Sequence, residues 1–500
     1  MSGPLRRHLV LGLDGATFDL LDPLMEAGDL PFLRSLAREG SRARLTSVYP
    51  PKTIPAWYSF ATGRDPGELG IYGFTEPDGG PGRSKIVQTF RPAEALWDRM
   101  SRQGIRVGVL NFPLRSGYSL NGFVVPGMLS ERPATYPEGL RVELEAALGA
   151  PYLPELPPYR ESERTAWMEL AVRGVQQHAA ASEYLIGRYH PEFLFVLFRE
   201  TDRVQHQHWT ELERRPVTKI PNDLRQFFRT VDRAAGQIDR AFQNDGGPSS
   251  TLVISDHGHG PAKADFFTNR WLAQQGYLVF RAGQERDSLR RRVLSQVLLA
   301  ADRLHLGRTL VRPVADRLRG TAEREWVGRL VAGESSFEGM ARRIDWERTV
   351  AYSYPVPEGI YLNRYNPSLT AEDGRRVVAD IRRRLTEYPD ARIEVFEPRE
   401  IYQSAEGPNA PAVLLRIDGL ATEPRMDFSY EKPMLRRRPQ YFYGSGVHRM
   451  DGVFLRRGSK GAAPALPATL SLLDVAPMIL AEMGVPLSRP PVGTSLGVGG

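Results

Sequence analysis

The sequence contains no cysteine, which excludes disulfides, thiolate metal sites and thiol nucleophiles without fixing a compartment. Lysine is nearly as scarce, with 6 among the 66 basic residues against 60 arginines. Long apolar runs are also missing: FLFVLF at 193–198 is among the longest, far short of the ~18 residues a spanning helix needs. The N-terminal MSGPLRRHLVLGLDG has too few apolar residues for a secretory signal. The expectation is a cytoplasmic protein with no membrane span. The net charge of +7 would suit a polyanionic partner, but the basic residues are scattered among acids, and clusters such as LRRRV at 289–293 read as solvated helix faces. A nucleic-acid partner is therefore not expected, and the oligomeric state is not legible.

What is present is a chain of 500 residues, 41% hydrophobic, long enough for a large core. Three apolar runs share one design: HLVLGLDG leads to Asp14, FLFVLFRETD to Asp202, and TLVISDHG to Asp256. Each reads as a buried strand with an aspartate at its carboxyl end. The segments LPFLRSLAREG (30–40) and LRQFFRTVDRAAGQIDRAFQNDGG (224–247) carry helical periodicity and glycine stops. This alternation predicts an α/β fold, a three-layer αβα sandwich around a mostly parallel sheet whose ligands gather at strand carboxyl ends. The three aspartates would then meet at one edge.

The proline-rich stretch 115–165 predicts an irregular surface insertion in the first part of the core, 1–280. Residues 281–345 are helical in pattern, rich in arginine and broken by Pro313, which suggests a helical insertion or lid. The sheet pattern resumes in the second part of the core, 346–500, with GIYLN at 359–363, GVFLRRG at 452–458 and the helix-like SLLDVAPMILAEMG.

The adjacent Asp256 and His257 read either as a turn after a strand or as a metal-binding pair, since carboxylate and neutral imidazole are usual ligands of Zn or Mn. Asp202 and His206 stand four apart in TDRVQHQHW. At ~100° per helical residue they nearly stack and could grip one ion, whereas His208 points about 200° away from His206. Thr201 or Asp202 also suits a helix cap. His448 stands in the glycine-rich turn GSGVHRMDG, where an ordinary loop role is the plain alternative. In PPKTIPAWYSFATG, Pro55 suits the first turn of a helix. Thr53 would then sit at the N-terminus, either as an ordinary cap or as a hydroxyl placed to become an alkoxide.

Taken together, GLDGATFD, PPKTIPAWYSFATG, TDRVQHQHW, SDHGHG and GVHRMDG, in that order across residues 12–452, resemble the alkaline phosphatase superfamily. The specific resemblance is to its type I phosphodiesterase and nucleotide pyrophosphatase branch. It implies a hydrolase of small-molecule phosphoesters with two divalent ions, Zn first, Mn or Fe as alternatives. Asp14, Thr53, Asp256 and His257 would hold one ion, and Asp202, His206 and His448 the other. Thr53 would be the nucleophile and pass through a phosphothreonine. The branch usually carries an asparagine on a nonbridging phosphate oxygen where this chain has Phe74. The phosphate is then expected to be held by backbone, Lys52 or Lys263, while Phe74, with Trp57 and Tyr58, would offer apolar surface to a diester, a core role for Trp57 being at least an equal alternative. His259 reads as structural or as supporting the ligands from outside.

Within the superfamily, the absence of cysteine and the setting of Thr53 disfavour a sulfatase. A phosphomonoesterase or a phosphomutase remains the alternative to phosphodiester or pyrophosphate cleavage. From another class, the chain could be a catalytically silent, metal-stabilised binder of polyanions.

Overall fold

The computed structural model describes residues 7–87, 94–129, 133–282, 341–403, 409–426, 434–438, 444–458 and 466–486. Its centre is an eight-stranded sheet built from β1 (Arg7–Leu13), β2 (Ser41–Thr46), β3 (Val107–Leu114), β4 (Gly122–Met128), β5 (Phe193–Phe198), β6 (Ser249–Ile254), β7 (Asp451–Arg457) and β8 (Thr469–Ser471). In space the order is β8-β2-β7-β6-β1-β5-β3-β4. Every pairing is parallel except those of β7, which runs against both β6 and β2.

The apolar runs alternate across this sheet. Leu9, Leu11 and Leu13 of β1, with Leu194, Val196 and Phe198 of β5, pack in one core with the helices Phe18–Glu26, Pro31–Glu39, Arg164–Tyr189 and Asn222–Asn244. Val10, Phe193, Phe195 and Leu197 enter the opposite core with the helices Thr53–Thr62, Leu96–Arg102 and Leu472–Glu482. Strands buried on both faces need continuous apolar sequence, which is why these runs show no polar alternation. The expected three-layer αβα sandwich is the observed one.

The register sets the carboxyl edge. Leu13 pairs with Phe198, and Gly12 with Ile254, so the segments leaving β6, β1 and β5 emerge side by side. Asp14, Asp202 and Asp256 follow those strand ends, as expected.

Several local expectations change. The stretch 115–165 contains the edge strand β4 and the helix Leu140–Leu148, so part of it completes the main sheet. GIYLN does not rejoin that sheet: Gly359–Leu362 lies in a separate four-stranded sheet, packed with Phe266, Trp271 and Ile381 in a third core. Most of the segment 281–345 lies outside the described residues. Its ends meet, because Phe280 bridges Ile344, Arg281 donates to the Arg343 carbonyl at 2.8 Å and Asp345 donates to that of Val279 at 2.8 Å. No helix among the described residues is long and apolar enough to cross a membrane.

Candidate metal centre

Asp14 leaves β1 into a sharp turn at Gly15, whose φ of +67° belongs to the left-handed region that glycine occupies at little cost. Gly15 also allows a close approach, since a Cβ there would lie 2.5 Å from Nδ1 of His259. Its N–H donates to Asp256 Oδ1 at 3.1 Å. One turn into the helix Thr53–Thr62, the Trp57 indole N–H donates to Asp14 Oδ2 at 3.1 Å. Gly12 makes room for that indole, because a Cβ there would lie 2.7 Å from the Trp57 ring.

The outer oxygens of the two carboxylates are thus satisfied, and the inner ones face each other. Asp14 Oδ1, Asp256 Oδ2 and His257 Nε2 are buried without a hydrogen-bond partner among the described residues. His257 Nε2 lies 3.2 Å from Asp256 and 3.7 Å from Asp14. Its Nδ1, 3.1 Å from the Gly258 carbonyl, must carry the ring proton because that carbonyl can only accept. Three acceptors therefore converge with no donor between them, the chemistry of a cation site.

A second group forms around Asp202 Oδ1, which has no hydrogen-bond donor of its own among the described residues. His206 Nε2 approaches it to 3.3 Å and His448 Nε2 to 3.2 Å, while those two nitrogens are 2.9 Å apart. Each ring spends its Nδ1 proton on a backbone carbonyl: His206 on Gly446 at 2.9 Å and His448 on Pro51 at 2.6 Å. Asp202 is not a helix cap. The helix Glu200–Leu212 begins before it, with Arg199 in the cap position, and Thr201 donates instead to the carbonyls of Asp14 and Phe198.

Burial raises the Asp14 carboxyl well above the usual range, with the charges of Asp256 and Asp202 adding to it. Burial likewise raises Asp256, against the Gly15 N–H, with Asp202 reinforcing the rise. Burial also opposes the charge on Asp202, but His206 and His448 outweigh it and hold this carboxyl well below the usual range. Among the imidazoles, burial pushes His257 and His259 far down, and takes His448 to about 3. His206 differs: burial acts downward, but Asp202 raises it overall. Neutral rings and ionised carboxylates are the forms a metal ion selects.

Thr53 is the first residue of its helix and only 1% exposed, as the position of Pro55 predicts. Its helix is tied to both clusters, through Trp57 to Asp14 and through the Pro51 carbonyl to His448. The acceptor groups assemble as Asp14, Asp256 and His257, and as Asp202, His206, His448 and also His259. His259 is the residue that sequence reasoning placed outside. The available signal was period two: in an extended segment His257 and His259 project to the same face. His208 stays apart, paired with Glu211 at 2.9 Å.

The expected substrate contacts are less well served. Trp57 and Tyr58 are fully buried, Tyr58 stacking on Phe112 and donating to the Pro113 carbonyl at 2.8 Å, so neither offers surface to a diester. Lys52 is engaged with the buried Glu358 at 2.7 Å, whereas Lys263 is exposed and Phe74 is 37% exposed.

The family model described as type I phosphodiesterase / nucleotide pyrophosphatase matches residues 8–325. The chain belongs to this family. Membership supports a type I phosphodiesterase-like hydrolase acting on phosphoesters. No curated protein matches the chain. Among solved structures, phosphonoacetate hydrolase from Sinorhizobium meliloti 1021 in complex with phosphonoformate is similar, with 14% identity, 96% of each chain covered and a TM-score of 0.51. Murine ectonucleotide pyrophosphatase / phosphodiesterase 5, inactive and in complex with AMP, is similar at 12% identity, 96% of each chain and a TM-score of 0.50. These likenesses show the fold alone, an alkaline-phosphatase-like α/β sandwich.

Proposed function

We propose that this family member cleaves phosphodiester or pyrophosphate bonds of a small-molecule substrate through a covalent phosphothreonine on Thr53. Asp14, Thr53, Asp256 and His257 would hold one divalent ion, and Asp202, His206 and His448 a second. One observation carries the reading: two sets of converging acceptors, one buried and one partly buried, are hydrogen-bonded to the first turn of the Thr53 helix and the residues just before it. When bound, a pair of divalent ions supplies Lewis-acid activation of a hydroxyl and neutralises charge on the phosphoryl group. Zn suits the mixture of imidazole and carboxylate, and Mn or Fe is compatible with it.

Thr53 presents its oxygen at a helix N-terminus, where free N–H groups and the helix dipole favour negative charge on the nucleophile and on the phosphoryl oxygens. Attack forms the Oγ–P bond as the leaving oxygen departs, and hydrolysis of that ester by water returns the free hydroxyl. Trp57 and the Gly15 N–H hold the outer oxygens of Asp14 and Asp256, keeping the inner ones aimed at the site.

Lys52 bears on the substrate class. A monoester dianion needs more positive charge around its nonbridging oxygens than a diester does, and Glu358 already offsets this lysine. An aryl phosphodiester should therefore exceed the matching monoester in kcat/KM by about 10-fold, or ~1.4 kcal/mol. A monoester preference, weakened by Lys52→Ala or Lys263→Ala, would make the chain a phosphomonoesterase.

We also assign the segment 281–345 to substrate choice. Because its ends are hydrogen-bonded to each other, a short linker can replace 283–340. That deletion should change the ratio of activities on large and small esters while leaving metal content unchanged. An unaltered substrate profile would remove the segment from the site.

A further inference from the structure

His259 lies on a strand, Gly258–Pro261, that pairs antiparallel with Gly446–Arg449, and the register sets it directly opposite His448. Residues directly opposite in such a pair project to the same face. The ring is fully buried, its Nδ1 lies 3.1 Å from the Gly15 carbonyl, and its Nε2 has no hydrogen-bond partner among the described residues. That nitrogen lies 3.6 Å from Asp202 Oδ1, which also lacks one.

The tautomer follows from these distances. With the proton on Nδ1, the ring donates to Gly15 and presents a bare lone pair at Nε2. With the proton on Nε2, two acceptors would face each other at 3.1 Å, in exchange for a contact to Asp202 too long for a hydrogen bond. The first arrangement is the one a metal ligand adopts, with its distal N–H fixed by a carbonyl. It is also how His206 and His448 are held.

We propose that His259 is a fourth protein ligand to the ion at Asp202, His206 and His448. This assignment rests on the two-ion reading above. Four ligands at ~2.0–2.1 Å around a tetrahedral ion stand roughly 3.3 Å from one another. The contacts of Asp202 Oδ1 to His206, His448 and His259 are 3.3, 3.2 and 3.6 Å, close to that value. The second ion thus has one carboxylate and three imidazoles, while the ion at Asp14, Asp256 and His257 has a single imidazole. Gly15 is required for this arrangement, because any side chain there would strike the His259 ring.

The absence of cysteine makes a direct test available. In full-length His259→Cys loaded with cobalt(II), a sulfur-to-cobalt charge-transfer band in the near ultraviolet is expected, since this would be the only thiol in the chain. His259→Ala should weaken one of the two cobalt ions by at least roughly 10-fold and leave the other unchanged, as even outer partners of metal ligands cost that much. Cobalt-loaded wild-type protein gives a readout that needs no substitution. Each ligating ring keeps its Nδ1 proton, so proton NMR should show four exchangeable, hyperfine-shifted imidazole signals, from His206, His257, His259 and His448. Three such signals, or two bound cobalt ions with no thiolate band in His259→Cys, would overturn the assignment while leaving the two-ion reading intact. Wild-type protein that takes up no cobalt would defeat both.

Discussion

Thr53→Ala should lose turnover on the order of 10³–10⁶-fold, the range seen when a covalent nucleophile is removed from a hydrolase. The substitution is mild for the fold. Thr53 is buried at the first position of its helix, where alanine is well tolerated, and the links to Asp14 and His448 run through Trp57 and Pro51. At saturating metal both ions should remain, and Thr53→Ser should recover part of the rate because it restores the hydroxyl. Acid-quenched wild-type enzyme should carry on Thr53 the phosphoryl group of the substrate with the ester substituent that was not expelled, and the alanine variant none. Near-normal turnover in Thr53→Ala would show that water attacks phosphorus directly.

Removal of divalent ions by chelation should abolish turnover and destabilise the protein together. In the metal-free chain, Asp14 Oδ1 and Asp256 Oδ2 are buried acceptors facing each other. Ions that bind only the folded chain stabilise it by about 4 kcal/mol at a thousand-fold excess over Kd. The pH dependence has a definite sign. The Asp14 and Asp256 carboxyls are raised in the folded chain, so their contribution is fully present below the ordinary carboxylate range and is lost as pH rises through the raised values. His257 and His448 are depressed, so their contribution is present above the ordinary imidazole value and is lost as pH falls below it. Metal-free protein should therefore be weakened at neutral pH by the carboxylates, and Asp256→Asn should raise its melting temperature while removing the share of the metal-induced gain that comes from the ion at Asp14 and His257. An unchanged melting temperature on chelation, with activity retained, would separate these residues from metal.

The strands that deliver the site were legible because burial on both faces demands continuous apolar sequence, and each such run ended in an aspartate. The helix at Thr53 was legible from Pro55, and the Asp202–His206 spacing from helical geometry. What the sequence hid depends on contacts across long separations. Pairing of Gly258–Pro261 with Gly446–Arg449 brings His448 beside His259, and no local pattern announces that ribbon. Trp57 read equally as core or as a surface for substrate, and the choice falls to Gly12, far away in sequence, which opens a slot that takes the indole into the core beneath Asp14. Lys52 read as a phosphate contact because its partner Glu358 lies far along the chain. The proline-rich stretch misled for another reason: β4 is an edge strand that accommodates Pro126, and the helix Leu140–Leu148 lies between Pro137 and Pro151.

Occupancy of these two clusters by a pair of divalent ions that Thr53 uses is what the proposed mechanism requires. It is tested most directly by counting metal in purified full-length protein after reconstitution with Zn and removal of the excess. Two ions per chain are expected, bound in proportion to the recovery of phosphoester cleavage. A chain that retains activity with no bound or recruitable divalent ion would contradict that mechanism.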